Sequence, residues 1–149
     1  MKIRRLLAVA AGVASVAAAA LLYGANNEED MSKTALENQL SEALKTRAAS
    51  AGAAYDTMMR AYSAQRRSLN DLVDAANKLR DAELAWTDSP DEEIAALERH
   101  VKRTRQTEIP LKVTFRNRTG ADEDYYTARR ERESAQIEWL KSRIKAKQQ

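Results

Sequence analysis

Apolar residues return along most of this chain at steps of three and four, the spacing that keeps one stripe of a helix turned toward a partner. Over residues 32–64 the stripe is Leu40, Leu44, Ala48, Ala51, Tyr55, Met58 and Tyr62, which predicts one long first helix at close to coiled-coil spacing. Its centre, AASAGAA, consists of small residues and predicts a close approach to a neighbouring helix. A polar reversal is expected at 65–67, with Ser68 and Asp71 spaced to cap a second helix bearing Leu69, Leu72, Val73, Ala76, Leu79 and Trp86. Ser89, Pro90 and Glu92 then form the clearest capping box in the sequence and open a third helix through Ile94, Leu97 and Val101. Pro110 removes a helix hydrogen bond, so a kink or break is expected at 108–109. A second reversal is expected at 117–120, with Thr119 and Asp122 placed to cap a fourth helix. Tyr125, Ala128, Ala135, Ile137, Trp139, Leu140 and Ile144 are the apolar positions of that helix, interrupted by the charged run RRERES.

The second and fourth helices, each with its preceding reversal, are copies of one another. Shifting residues 62–86 by 53 positions lays Tyr62 on Phe115, Asp71 on Asp124, Ala75 on Ala128, Ala82 on Ala135, Leu84 on Ile137 and Trp86 on Trp139. Because the sequence holds only two Trp and both fall in register, an internal repeat of helix, reversal and helix is the reading adopted. The fold class that follows is all-α: an N-terminal export or anchor helix, then two antiparallel helical hairpins making a four-helix, coiled-coil-like bundle. The boundaries expected are 1–25 for the export segment, 26–31 for a linker and 32–149 for the repeat domain, with repeats at about 36–88 and 89–146.

Composition supports helices, since the 149 residues include only four Gly and two Pro. The front end is a short basic stretch followed by an uncharged apolar run over residues 6–25, the pattern of an export signal. Cleavage would release the body; retention would leave it anchored through residues 6–25, rich in alanine and weakly inserting. Either way the body is expected outside the cytoplasm, periplasmic or membrane-anchored. The formal charge of +3 is supplied by Lys2, Arg4 and Arg5, and from residue 6 onward basic and acidic side chains cancel. A body without net field is a poor nucleic-acid partner, and none is expected. The absence of cysteine excludes disulfides, thiolate metal sites, a cysteine nucleophile and a lipidated N-terminal cysteine.

The reversals and their flanks resemble the periplasmic hairpins of the TolC-type outer-membrane efflux proteins. That family's pattern is an aromatic, a Gly at the turn, a Ser or Thr three residues later, then Asp, two aliphatics and an Ala before a run ending near Ala-Glu-Leu. Tyr62, Ala64, Ser68, Asp71, Leu72, Val73, Ala75 and the AEL at 82–84 fit it, and the second copy keeps Phe115, Asp124, Ala128, Ala135 and Ile137. The connector SPDEEIAALERHVKR resembles that of short, barrel-less relatives. Gln65 and Arg118 stand where the family has the turn Gly, and Ala121 replaces the second Ser or Thr. No stretch alternates long enough for barrel strands, so the chain alone makes no outer-membrane pore. What the resemblance implies is a hairpin tip that meets other envelope proteins, with Arg66, Arg67, Ser68, Asp71, Arg118 and Asp124 as the contact set.

Chemistry offers little against this. His100 lies beside Arg99 and Lys102 and reads as a solvated helix-face residue with no catalytic companion. The acidic triplets 91–93 and 122–124 open helices, where the macrodipole favours carboxylates, and lack calcium-loop spacing. The two Trp are expected to pack together at one end of the bundle. No catalytic residue, cofactor or metal is therefore expected, and the protein is read as a non-enzymatic envelope protein acting through helix-mediated contacts with protein partners or with a second copy of itself. The alternative is a membrane-tethered coiled coil that bridges envelope layers, as phage spanins do.

Overall fold

The computed structural model describes residues 33–148, so the expected export segment and linker lie outside the described residues. Within it the chain is helical, without strands among the described residues: α1 is Lys33–Ser63, α2 Leu69–Ala85, α3 Pro90–Arg116 and α4 Asp122–Ala146. The chain divides into units 1–41 and 42–149, and the packing described here lies within the second.

Two of the four starts follow directly from capping chemistry. The Ser68 hydroxyl accepts from the Asp71 amide, whose carboxylate in turn accepts from the Ser68 N–H. Ser89 and Glu92 do the same for α3, with Pro90 in the first turn, where its missing N–H costs nothing. The fourth start differs from expectation. Its N-cap is Ala121, which has no side chain able to cap, while the Thr119 hydroxyl donates back to the Thr114 carbonyl instead. Pro110 does not break α3, which continues unbroken to Arg116.

α1 and α2 meet through an apolar cluster of Tyr55, Leu72, Ala76 and Leu79, flanked by Ala51, Met58, Met59, Tyr62 and Ala75. Leu72 is only 1% exposed, a burial worth about 2 kcal/mol. The small-residue centre of α1 is not the tight seam expected. Ala49, Ser50, Ala53 and Ala54 are exposed, and a methyl added at Gly52 would meet Leu79 Cδ1 at an ordinary 4.0 Å. The bulk at Tyr55, Met58 and Met59 sets this spacing.

α3 and α4 make the most extensive contact. Ser142 donates to Glu93 Oε1 at 3.1 Å, Arg132 Nε lies 2.7 Å from Glu108 Oε2, and Phe115 stacks on Tyr125 at 4.5 Å, so early α3 meets late α4. Ala96, Ala128 and Ala135, each at most 2% exposed, let these backbones approach. The inward face of α4 is therefore Tyr125, Ala128, Ala135 and Ser142. Ile137, Leu140 and Ile144, expected on it, are exposed instead.

Candidate functional site

The two reversals are the same structure made twice. After α1, the amides of Ala64, Gln65 and Arg66 bond the carbonyls of Arg60, Tyr62 and Ala61; after α3, those of Asn117, Arg118 and Thr119 bond Val113, Phe115 and Thr114. Every donor and acceptor is displaced by the 53 positions of the sequence repeat. The pattern is a Schellman closure, in which a residue just past the helix turns left-handed so that the last carbonyls are satisfied. Gln65 and Arg118 are that residue, with φ of 56° and 53°, the only described residues other than Gly in that region. The position is one that glycine occupies without steric cost.

A compensating pair distinguishes the two turns. A Cβ on Gly120 would lie 2.9 Å from Thr114 Oγ1 and 3.0 Å from its Cβ. The equivalents in the first turn are Arg67 and Ala61. The copy with a large residue at the first position keeps Gly at the second, and the copy with Ala at the first admits Arg.

Both turns lie at one end of the unit. The Asp124 carboxylate, at the start of α4, acts on Tyr62 at the end of α1; burial first, and this negative charge second, raise the Tyr62 hydroxyl above its ordinary pKa. The predicted contact residues separate into two kinds here. Arg66, Arg67 and Arg118 are exposed and make no ion pair among the described residues. Ser68 and Asp71 are occupied with each other, and the amide and hydroxyl of Ser68 hold the Asp71 carboxyl below its usual range. They shape the tip, and the three arginines are its free chemistry. Asp124 is half-buried between the two turns.

Sequence reasoning missed a polar seam inside the unit. His100 is 2% exposed, not solvated as expected. Burial, then the charges of Arg80 and Arg103, lower its pKa to about 4, with Glu83 and Asp81 opposing. Its Nδ1 has no hydrogen-bond partner. Beside it, Glu83 accepts from Arg103 at 2.6 Å and from Arg99 at 3.0 Å, and the Arg103 guanidinium lies 6.0 Å over the Tyr55 ring. Spacing alone carried the signal: His100, Thr104, Thr107 and Glu108 fall three and four apart, in phase with Leu97.

The Trp pair is also placed differently from expectation. Trp139 lies under the Arg143 guanidinium at 4.8 Å, whereas Trp86 lines a notch of about 430 Å³ with Ala48, Ala49 and Ala95. The two indoles do not stack on one another among the described residues. The charged groups at the notch are already engaged: Lys45 with Glu42, Glu83 with Arg99 and Arg103, and Glu92 in the α3 cap. No group of three or more His, Cys, Asp or Glu converges as a metal site among the described residues, nor is any described helix long and apolar enough to cross a membrane. Compared with known proteins, the chain matches no family model, no curated protein and no solved structure.

Proposed function

We propose that this is a non-enzymatic protein of the cell envelope, its body delivered outside the cytoplasm by residues 1–25, that works by presenting a helical tip to a protein partner. The architecture behind this reading is two antiparallel hairpins, α1–α2 and α3–α4, in a four-helix bundle whose reversals form one surface. The single observation that carries it is the matched pair of Schellman turns brought to one end, with unpaired Arg66, Arg67 and Arg118 upon them. Left-handed backbone at Gln65 and Arg118, where the TolC-type pattern has Gly, supports the resemblance, as does the Ser68–Asp71 box. The unpartnered base of the buried polar seam, His100 Nδ1, is walled off from solvent, the residue being 2% exposed.

The occupant chemistry that suits three free guanidiniums is a carboxylate-bearing protein surface, since planar forks pair with carboxylates in bidentate fashion. Capture of an envelope partner by the full-length chain tests this. The triple variant Arg66→Glu/Arg67→Glu/Arg118→Glu should retain parental helix content yet lose the partner. Equal capture by variant and parent would remove the tip from the function. The intact mass of the exported protein checks delivery separately.

A further inference from the structure

α4 is apolar on two opposite faces, and only one of them is buried within the chain, the other touching α3 where the Tyr126 ring meets Phe115 edge-on at 5.5 Å. Tyr125, Ala128, Ala135 and Ser142 face inward and are buried. Half a turn away, Tyr126, Ile137, Leu140 and Ile144 are 55%, 53%, 42% and 57% exposed. With Arg130 and Glu133 between them these residues are spaced 4-3-4-3-4, the unbroken seam of a coiled coil lacking its second helix. An exposed stripe of this kind, continuous over more than two heptads, marks an interaction surface.

The two charges inside the stripe select the occupant. In a parallel pairing of two such helices Arg130 would meet Arg130 and Glu133 would meet Glu133, like charge on like at adjacent layers. Running antiparallel about a two-fold axis between Arg130 and Glu133, the stretch 126–137 complements itself: Arg130 meets Glu133 of the second copy and Tyr126 meets its Ile137, each contact occurring twice, while Leu140 falls opposite Glu123 and Ile144 opposite Thr119 at the ends of the contact. Both groups are available for this. Arg130 makes no ion pair among the described residues, and the two bonds that Glu133 accepts, from Arg129 at 2.9 Å and Arg132 at 3.3 Å, both end on Oε1, leaving Oε2 unpaired. We infer that the outer face of α4 docks on the same face of a second copy of this chain, antiparallel, in the register Arg130 to Glu133. The contact is centred on Arg130 and Glu133, and its ends reach the second turn, where Ile144 of the second copy falls opposite Thr119.

The cysteine-free sequence makes the register directly measurable. Full-length Y126C and I137C chains, mixed and mildly oxidised, should form a mixed disulfide. Neither variant should cross-link to itself, because its own equivalent lies 11 residues, about 16 Å, along the seam, far beyond disulfide reach. Adding R130E to both chains should abolish the mixed product, and R130E/E133R should restore it. Light scattering gives a second readout, in which the parent is a dimer and I137D, altered only at an exposed position, a monomer. Absence of the mixed disulfide, self-cross-linking of either variant as efficient as the mixture, or an I137D dimer would each overturn the inference.

Discussion

A non-glycine residue held at positive φ is strained by about 1 kcal/mol, and this chain carries that strain once per repeat, at Gln65 and Arg118. Both side chains stand exposed, so nothing in the core demands their size. Replacing either with Gly should raise stability by about 0.5 kcal/mol in urea unfolding, the relief of strain less the extra freedom of the unfolded chain. The missing fourth cap gives a second prediction on the same scale. Ala121 stands where Ser68 stands in the first copy, and Asp124 where Asp71 stands, so Ala121→Ser should complete a capping box on α4. A gain of about 1 kcal/mol is expected, mirrored by a loss of about 1 kcal/mol for Ser68→Ala, with thermal melting as the measurement. No gain would mean that the α4 start differs from the α2 start in more than its hydroxyl.

Between elements, the repeat solves one packing problem in two chemistries. Tyr55 on α1 and Leu79 on α2 share an apolar cluster; 53 residues later the same two positions are Glu108 and Arg132, an ion pair at 2.7 Å with side chains 11% and 24% exposed. The pair stands close but poorly aligned, since Arg132 Nε makes no well-formed hydrogen bond. Removing one charge leaves the other buried, so Arg132→Met should cost about 3 kcal/mol, whereas the double change Glu108→Tyr/Arg132→Leu, which copies the first repeat, should be neutral or stabilising. A double-mutant cycle in urea checks both. This substitution also explains what the sequence could and could not disclose. Helix periods, both capping boxes and the 53-residue repeat were legible because they are local and rest on residue types with one dominant use, such as Ser89 with Glu92. The inward face of α4 was not. Ile137, Leu140 and Ile144 outrank Ala128, Ala135 and Ser142 in hydrophobicity, yet the close packing with α3 selects small residues, and the larger ones are turned outward. His100 failed for the converse reason, because its charged chain neighbours Arg99 and Lys102 suggest a solvated face although the imidazole itself is 2% exposed.

For the whole molecule, the buried imidazole sets how stability responds to acid. His100 is neutral in the folded protein down to a pKa of about 4, while in the unfolded chain it takes a proton near the ordinary value of 6.5. Between those limits the unfolded state binds more protons, so stability falls as pH drops from 6.5 toward 4 and is flat above that window. At 1.36 kcal/mol for each pH unit the loss should reach about 2 kcal/mol by pH 5, a large fraction of the stability of a domain this size. The charges around the ring reinforce the direction: Arg80 and Arg103 repel a second proton, and the carboxylates of Glu83 and Asp81 offset them only in part. A separate loss begins lower. The carboxyls of Asp71, Glu92 and Glu133 are held below their ordinary pKa by hydrogen bonds to Ser68, to the Asp88 amide and to Arg129, so their contribution is complete above the ordinary carboxylate range and disappears as pH falls through the lowered values. Acid unfolding should therefore proceed in two windows, the upper one belonging to a single residue. Urea midpoints should be nearly level from pH 7.5 to 6.5 and then fall toward pH 5 for the parent, and stay level throughout for His100→Gln, which keeps a polar side chain at the site and removes the titration. Parallel curves for the two proteins would show that the upper window has another source.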